Sequence, residues 1–309
     1  MPQWRAVFLS HANSGPHRLR ELLTQPSPIL APGAFDCFSA RLIEAAGFPA
    51  VYMTGFGTAA SHLGRPDVGL LGMSEMVDQA RRIVASVQVP LIADADTGYG
   101  NPINVVRTVK AYEDAGVAAL HLEDQVAPKR CGHMPGKQVI APAEMVAKIE
   151  AAVAARRSAD FTIIARTDAR AVEGLDPALE RAWQYKDAGA DVIFVEALES
   201  LEEVERVAEA FRDVPLLFNW TEGGRTPPVP YSRLRELGFR IVIFPIGALL
   251  IAGRAISDLL ETLQRDGTPA AAMDRMMRFQ EVIDFLGVPE MRALEERFAE
   301  TPRGSADSS

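Results

Sequence analysis

The chain has 309 residues, of which 48% are hydrophobic and 24% charged, close to the average of a soluble globular domain. This length can bury a large core, and it fits either two domains or one large barrel. The 32 basic and 41 acidic residues give a net charge of −9 and are interleaved, which argues against a nucleic-acid partner. The two cysteines, Cys37 and Cys131, exclude a disulfide scaffold and indicate a reducing compartment.

No stretch has the roughly 18 consecutive apolar residues of a membrane span, since the longest, 241–252, is interrupted by Pro245 and Gly247. The apolar patch at residues 6–9 lacks the basic flank and apolar core of a signal peptide. We therefore expect a cytoplasmic protein with no membrane partner. Residues 301–309 are small and polar, and we expect them to be a disordered tail.

Short apolar runs bounded by polar or turn residues recur along the chain, and each is typical of a strand buried on both faces. Eight strands are predicted in this way, near residues 29–33, 50–54, 90–94, 119–123, 161–166, 191–196, 215–218 and 240–244. Helical patterns between them cover residues 73–86, 102–115, 142–156, 177–188 and 201–211. Strands that alternate with helices indicate a parallel α/β sheet, and eight repeats over roughly 250 residues predict a (β/α)8 TIM-type barrel. A doubly wound sheet is the alternative, but no GxGxxG string follows the first strand.

The barrel is predicted over residues 19–268, after an N-terminal extension of residues 1–18. Residues 269–300 continue as C-terminal helices, which either cap the barrel or pack on another subunit. Their apolar residues offer more apolar surface than one barrel end needs: Met273, Met276, Met277, Phe279 and Phe285.

The active site of such a barrel lies at the carboxyl ends of the strands, where this sequence has unusual polar residues. The strand ends from the third to the seventh supply Asp94, Asp96, Glu123, Arg166, Glu196, Asn219 and, just beyond, Thr221. An aspartate after a strand often only caps the next helix. Five strand ends that converge on one rim favour a functional site.

Carboxylates at two of these strand ends indicate a metal site. Asp94 and Asp96 alternate along the predicted strand, so we expect their side chains to point to the same side. Together with Glu123 they form an oxygen-rich cluster that needs a cation or a proton. Oxygen ligands without a His or Cys pair suit Mg²⁺ or Mn²⁺ rather than zinc.

The segment after the fourth strand, residues 126–142 (VAPKRCGHMPGKQVIAP), has the composition of a mobile lid. Glycines around a charged tip suit a loop that closes over substrate. Because Cys131 lies beside Arg130 and near His133, we expect its thiolate to be favoured and the group to exchange a proton near neutral pH. The alternative is an exposed basic loop with an inert cysteine.

Three other residues are interpreted as structural. Cys37 lies in a helical pattern and is expected to be a buried small hydrophobe. His121 lies inside the fourth strand and is expected to pack in the core, whereas His17 is expected to be exposed.

Three strings carry a resemblance to a known family: LEDQVAPKRCGH at 122–133, ADADTGYGN at 93–101 and IIARTDAR at 163–170. They resemble the isocitrate lyase / phosphoenolpyruvate mutase superfamily, over residues 19–298. The resemblance implies a (β/α)8 barrel and a homotetramer of dimers that exchange their eighth helix. It also implies Mg²⁺ as the cofactor and an α-oxo or 2-hydroxy carboxylate as the small-molecule substrate.

The resemblance further implies roles for individual residues. The direct Mg²⁺ ligand is Asp94, and the ligands through water are Asp67, Asp96 and Glu123, of which Glu123 also belongs to the catalytic set. The catalytic loop is matched by Lys129, Arg130, Cys131, Gly132 and His133. Substrate contacts fall on Thr54, Gly55, Phe56, Gly132, Arg166, Glu196, Asn219 and Thr221. In the lyases of this family the cysteine is the general acid that protonates the carbanion equivalent after the C–C bond breaks.

Two local features indicate which enzymes of this family the chain resembles most. Phe194 resembles the phenylalanine of methylisocitrate lyases, which is interpreted as leaving room for a substrate methyl group. The string TGFG at residues 54–57 is closer to dimethylmalate lyases, oxaloacetate hydrolases and carboxyphosphonoenolpyruvate mutase.

We therefore predict a Mg²⁺-dependent carbon–carbon lyase that cleaves a 2-hydroxy di- or tricarboxylate of the 2-methylisocitrate or 2,3-dimethylmalate type. The expected products are pyruvate and a second carboxylate. The alternatives are a carboxyphosphonoenolpyruvate-type phosphonomutase, an oxaloacetate hydrolase or decarboxylase, and a barrel that only binds a dicarboxylate.

Overall fold

The computed structural model describes residues 15–299, so the predictions for residues 1–14 and for the tail 301–309 lie outside the described residues. The described chain divides into two compact units, 15–251 and 252–299. Within these residues no helix combines the length and the apolar character that a membrane span requires.

Eight parallel strands form the first unit. They are β1 (Ile29–Ala34), β2 (Val51–Met53), β3 (Leu91–Asp94), β4 (Ala119–Glu123), β5 (Thr162–Thr167), β6 (Val192–Val195), β7 (Leu217–Asn219) and β8 (Ile241–Phe244). The strand order is β6-β5-β4-β3-β2-β1-β8-β7, and a parallel bridge between Ile193 and Leu216 brings β6 next to the start of β7. The ring is nearly closed, which confirms the predicted (β/α)8 barrel.

Helices connect and surround the strands. They are α1 (Gly15–Leu23), α2 (Cys37–Ala45), α3 (Gly55–Leu63), α4 (Met73–Ser86), α5 (Pro102–Asp114), α6 (Pro142–Ala155), α7 (Arg170–Glu173), α8 (Leu175–Asp187), α9 (Leu201–Ala210) and α10 (Tyr231–Glu236). After β8 the chain continues as α11 (Gly247–Asp266). The boundary between the two units lies within α11. A 3₁₀ helix (Ala270–Arg275), α12 (Phe279–Leu286) and α13 (Val288–Ala299) follow.

Strand alternation divides the apolar residues between two clusters. One set, including Tyr52, Ile92, Ile164 and Phe194, fills the barrel interior. The residues between them, such as Met53, pack outwards against the helices. Two positions after each of these interior residues, a polar residue lies on the same face of the chain at the carboxyl end of the strand. These polar residues are Thr54, Asp94, Arg166 and Glu196.

Helix α1 covers the opposite end of the barrel and was not predicted. Leu19 and Leu23, one turn apart, are buried with the residues that begin several strands. Arg20 Nη2 donates to Ala159 O at 3.0 Å and lies 2.9 Å from Asp191 Oδ1. The helix begins at Gly15, within the stretch interpreted as an extension.

Two smaller expectations differ from the structure. Cys37 is half-buried rather than buried, because it is the first residue of α2, just after the capping carboxylate of Asp36. In the second unit Met273, Met276 and Met277 are exposed as expected and Phe279 is 80% exposed, but Phe285 is buried.

Candidate active site

A cavity of about 220 Å³ opens at the carboxyl end of the barrel. Twelve of the predicted site residues line it: Thr54, Phe56, Asp67, Asp94, Lys129, Cys131, Gly132, His133, Arg166, Glu196, Asn219 and Thr221. The structure thus brings together residues from five strand ends and from the loop after β4. The four that lie outside the lining are Gly55, Asp96, Glu123 and Arg130.

Three aspartates surround one lysine on the acidic side of the cavity. Lys129 Nζ lies 2.6 Å from Asp67 Oδ2 and 2.9 Å from Asp96 Oδ1, with all these side chains at most a tenth exposed. Asp94 lies beside this pair at the end of β3, and Asp96 N donates to Asp94 Oδ1 at 2.9 Å. Burial raises the pKa of Asp96 to about 7, despite the opposing effect of Lys129.

Asp96 joins the cluster, but it does not alternate with Asp94 along the strand as predicted. Strand β3 ends at Asp94, and the backbone of Asp96 has a φ of 47°, in the left-handed region. The carboxylate of Asp96 therefore reaches Lys129 from a turn, not from the strand face.

Gly55 has a steric role beside Asp94. Thr54 caps α3, since Gly57 N donates to Thr54 Oγ1 at 3.2 Å, and Gly55 is the first helical residue. A Cβ atom on Gly55 would collide with Asp94 Oδ2. Glycine at this position lets the backbone approach the carboxylate closely.

Arg166 is the centre of the basic side. Its guanidinium lies 3.2 Å from Glu123 Oε2, 2.8 Å from Asp168 Oδ2 and 3.3 Å from Glu196 Oε2. Phe194 is fully buried, its ring centroid lies 5.2 Å from the guanidinium carbon of Arg166, and it is not among the residues that line the cavity. The ring of Phe194 supports Arg166 from below. That Phe194 leaves room for a substrate methyl group stays a prediction.

The two glutamates on Arg166 differ in their electrostatics. Burial raises the pKa of Glu123 well above its usual range, and neither carboxylate oxygen accepts a hydrogen bond from the described residues. Burial would also raise the pKa of Glu196, but Arg166 and His133 outweigh it and hold the pKa far below its usual range. Asn219 Nδ2 donates to Glu196 Oε2 at 3.0 Å. Glu196 is thus a fixed anion, whereas Glu123 is a carboxyl group that lacks a full complement of partners.

The loop after β4 is folded down over the cavity. Cys131 N donates to Asp67 O at 3.1 Å, which places the thiol at the cavity wall. Burial raises the pKa of Cys131, and the nearby cations do not reverse this. The expectation of a favoured thiolate was wrong in this closed arrangement, because desolvation dominates. The group at the wall is a neutral thiol at pH 7, able to donate a proton.

His133 joins this loop to the segment after β7. Its Nδ1 accepts a hydrogen bond from Arg225 N at 3.2 Å, so the ring hydrogen is assigned to Nε2. Nε2 lies 2.8 Å from Thr221 Oγ1 and 3.3 Å from Glu196 Oε1. The histidine therefore fastens the lid to a second wall of the cavity.

Arg130 points away from the cavity. It is exposed, and its Nη1 lies 3.4 Å from Pro135 O, within the loop itself. The backbone of Arg130 is held by the Gln125 side chain, whose Oε1 accepts from Arg130 N at 3.0 Å. The backbone of Arg130 therefore helps to hold the loop in place, whereas its guanidinium does not contact the cavity.

A polar pair at the floor of the cavity was not predicted from the sequence. Tyr52 OH lies 2.9 Å from His121 Nε2, which is 3.6 Å from Asp94 Oδ1. His121 is fully buried as expected, and burial lowers its pKa to about 4, so the ring is neutral. Its place in β4, two residues before Glu123, was the signal that it faces the site rather than the helices.

The arrangement has the parts of an acid-catalysed bond cleavage. The thiol of Cys131, the guanidinium of Arg166 and the carboxylates of Asp67 and Asp94 line the same cavity, and the loop after β4 covers it.

Glu222 was not predicted as a site residue, but it also lines the cavity. It accepts a hydrogen bond from Ile246 N at 3.1 Å, just before α11.

Residues 19–264 match the family model described as phosphoenolpyruvate phosphomutase. The chain belongs to the phosphoenolpyruvate phosphomutase family. It is 50% identical over 282 residues to 2,3-dimethylmalate lyase of Eubacterium barkeri, covering 91% of this chain and 97% of the relative. It is 45% identical over 285 residues to 2-methylisocitrate lyase of Aeropyrum pernix, covering 92% and 90%. The prediction of a lyase of the isocitrate lyase / phosphoenolpyruvate mutase superfamily is confirmed.

Solved structures agree with this assignment. A crystal structure of 2,3-dimethylmalate lyase, described as a PEP mutase/isocitrate lyase superfamily member, has a TM-score of 0.88 and 40% identity and covers 97% of this chain and all of that chain. Oxaloacetate acetylhydrolase with 3,3-difluorooxalacetate has a TM-score of 0.88 and 38% identity, covering 94% and 99%. Phosphonopyruvate hydrolase with oxalate and Mg²⁺ has a TM-score of 0.84 and 32% identity, covering 93% and 99%.

Proposed function

We propose that this chain is a Mg²⁺-dependent carbon–carbon lyase that cleaves a 2,3-dimethylmalate-type or 2-methylisocitrate-type 2-hydroxy carboxylate to pyruvate and a second carboxylate. The observation that carries the proposal is the position of Cys131, in a loop over the cavity and in the same lining as Asp94 and Arg166. A site that only binds a dicarboxylate needs no proton donor in its lid.

The acidic side of the cavity supports a divalent cation. Glu123 keeps two buried oxygens without hydrogen-bond partners among the described residues, and Asp94, Asp96 and Asp67 crowd around a single lysine. No three carboxylate, histidine or cysteine groups in residues 15–299 converge as a complete metal cage. One direct ligand, Asp94, with the others bound through water, fits Mg²⁺, which retains several waters.

The chain's own residues divide the remaining work. Thr54 and Phe56, at the start of α3, face the space in front of Asp94 and would orient the carboxylate and hydroxyl end of the substrate. When bound, Mg²⁺ would supply Lewis-acid stabilisation of the oxyanion that forms there. The substrate hydroxyl would lose its proton to a general base, and the C–C bonding electrons would pass to the freed carbon as the C=O bond of pyruvate forms. Cys131 would then donate its proton to that carbon.

The far end of the substrate faces the opposite wall. Arg166, Asn219 and Thr221 line it and would hold the second carboxylate. The chain is 50% identical to a 2,3-dimethylmalate lyase and 45% identical to a 2-methylisocitrate lyase. This supports the 2,3-dimethylmalate type as the first substrate to assay. Hydrolysis of oxaloacetate is the second candidate, because the similar oxaloacetate acetylhydrolase structure is known with an oxaloacetate analogue.

The test is a panel assay of pyruvate release with Mg²⁺ from 2,3-dimethylmalate and 2-methylisocitrate, beside acetate release from oxaloacetate. We expect pyruvate from at least one lyase substrate, loss of activity with EDTA, and no activity for Asp94→Ala with the fold retained. Pyruvate release that resists EDTA would contradict the metal assignment. Acetate release without pyruvate would replace the lyase by the hydrolase.

We also propose a homotetramer in which C-terminal helices are exchanged between subunits. Support comes from the second unit, where Ile256, Leu260, Met273, Phe279 and Phe298 each expose more than half of their surface. Light scattering at micromolar concentration should give four times the monomer mass, and a monomer mass would contradict the proposal. A cytoplasmic location fits the two free cysteines.

A further inference from the structure

The loop of residues 126–141, called the lid below, contains a buried lysine to which the proposed reaction gives no role. The side chain of Lys137 is only 2% exposed. Its Nζ donates to Gly132 O at 2.5 Å and to Asp168 Oδ1 at 2.6 Å. Lysine is almost never fully buried unless it is paired. Here one partner belongs to the lid and the other follows β5 of the barrel.

Asp168 is a rigid anchor. Its carboxylate accepts hydrogen bonds from Arg166 Nε at 2.8 Å and Nη2 at 3.1 Å. Its backbone N donates to Asp124 Oδ1 at 2.8 Å, and Asp124 Oδ2 accepts from Thr167 Oγ1 at 2.7 Å. The group that holds Lys137 is therefore fixed by the same contacts that orient Arg166.

Charge also favours this attachment. Three carboxyl groups, of Glu123, Asp168 and Glu196, contact the one guanidinium of Arg166 in a buried setting. The ammonium group of Lys137 adds a second positive charge at Asp168 Oδ1, where burial makes an uncompensated charge expensive. Closing the lid thus completes the pairing of the buried cluster.

Gly132 connects Lys137 to the proton donor, because it directly follows Cys131. A Cβ atom on Gly132 would lie 2.8 Å from Glu196 Cγ, so the lid backbone lies tightly against the cavity wall here. The backbone around the thiol is held at two points, Cys131 N on Asp67 O and Gly132 O on Lys137.

We propose that Lys137 is a positioning residue, which fastens the closed lid to Asp168 and thereby sets the position of the Cys131 thiol. The consequence for catalysis rests on the proposed function, whereas the attachment of the lid does not. A displacement of about 1 Å at a reacting group can cost about 10²-fold in rate.

The first test compares Lys137→Met with a matched control, Lys148→Met. Lys148 is also buried and donates to a carbonyl, Thr97 O at 3.2 Å, but it belongs to α6 and not to the lid. We expect K137M to lower kcat for pyruvate release about 10²-fold with a smaller change in KM, and K148M to stay within about threefold of wild type. Equal losses in both variants would overturn the proposal. If K137M does not fold, Lys137→Gln replaces it with the same expectation, because glutamine keeps a polar amide but removes the positive charge and is shorter.

The second test needs no turnover. Trypsin cleaves after Arg130, which is exposed in the lid. With Mg²⁺ and oxalate present, we expect wild type and K148M to resist cleavage there and K137M to be cut at least about tenfold faster. Equal cleavage rates would overturn the attachment. If no variant releases pyruvate but K137M alone is cut rapidly, the proposed function fails and the role of Lys137 stands.

Discussion

Replacing Cys131 by serine tests the role of the lid most specifically. Serine keeps the size of the side chain and the backbone hydrogen bond from residue 131 to Asp67 O, so the lid should still close. Burial already raises the pKa of the thiol, so wild-type Cys131 enters the reaction as a proton donor. The serine hydroxyl is a far weaker acid in the same place.

The expected loss is that of a general acid, 10²–10⁴-fold in kcat, which corresponds to about 3–5 kcal/mol of transition-state stabilisation. KM should change little, because the carboxylate contacts of Arg166 and Asn219 are untouched. A half-buried, nearly isosteric replacement should shift the free energy of unfolding by less than about 1 kcal/mol.

The assay is pyruvate release followed through lactate dehydrogenase, beside urea unfolding of each variant. Cys37→Ser is the matched control, since Cys37 is the other free cysteine, half-buried on α2 outside the cavity lining. It should keep wild-type kcat. If Cys131→Ser is as fast as wild type, the thiol is not the proton donor, and the account of the lid is refuted.

Three further predictions concern the walls and the base of the barrel. Gly224→Ala would place a Cβ atom 2.8 Å from His133 Nδ1 and displace the imidazole from Thr221. The value of kcat should therefore fall at least about tenfold with an unchanged urea midpoint. A fully active variant would show that the lid does not need the contact between His133 and Thr221. Arg20→Ala should lower the free energy of unfolding by about 1–3 kcal/mol, because carbonyls at the amino end of the barrel lose their donor, and kcat should be retained; an unchanged urea midpoint would contradict it. Arg166 holds the pKa of Glu196 in the folded protein below the value of about 4.3 expected for this residue in the unfolded chain. The ion pair between Glu196 and Arg166 therefore stabilises the fold above about pH 4.3, and this stabilisation is lost as the pH falls towards the pKa of Glu196 in the folded protein. Urea midpoints measured from pH 7 to pH 3 should therefore fall less steeply for Glu196→Gln than for wild type, and parallel curves would refute this.

Most of the fold follows from local patterns. All eight strands lie within two residues of their predicted positions, because buried parallel strands are short apolar runs between turns. Helix α1 was not predicted because its apolar pattern consists of one pair, Leu19 and Leu23. The partners of this pair are residues at the amino ends of several strands, which are distant in sequence. The turn at Asp96 was not predicted because side-chain alternation requires an extended backbone, whereas Asp96 has a left-handed backbone conformation.

The site was predictable where a strand end fixes a side chain, as at Asp94, Arg166 and Glu196. It was not predictable where partners are distant in sequence. The ammonium group of Lys137 contacts Asp168, which is 31 residues away in sequence, and the burial that raises the pKa of Cys131 comes from the folded position of the loop over the cavity. A basic neighbour in sequence therefore gave the wrong direction for the thiol.

The most direct test of the central claim is the cleavage of 2,3-dimethylmalate in D₂O with Mg²⁺, followed by NMR. If the C–C bond breaks and an exchangeable donor protonates the freed carbon, pyruvate and propionate should appear in equal amounts. The propionate should carry one deuterium at C2, and Cys131→Ser should slow its formation. Absence of both products would contradict the proposed substrate type, and propionate without deuterium would contradict protonation by an exchangeable group of the enzyme.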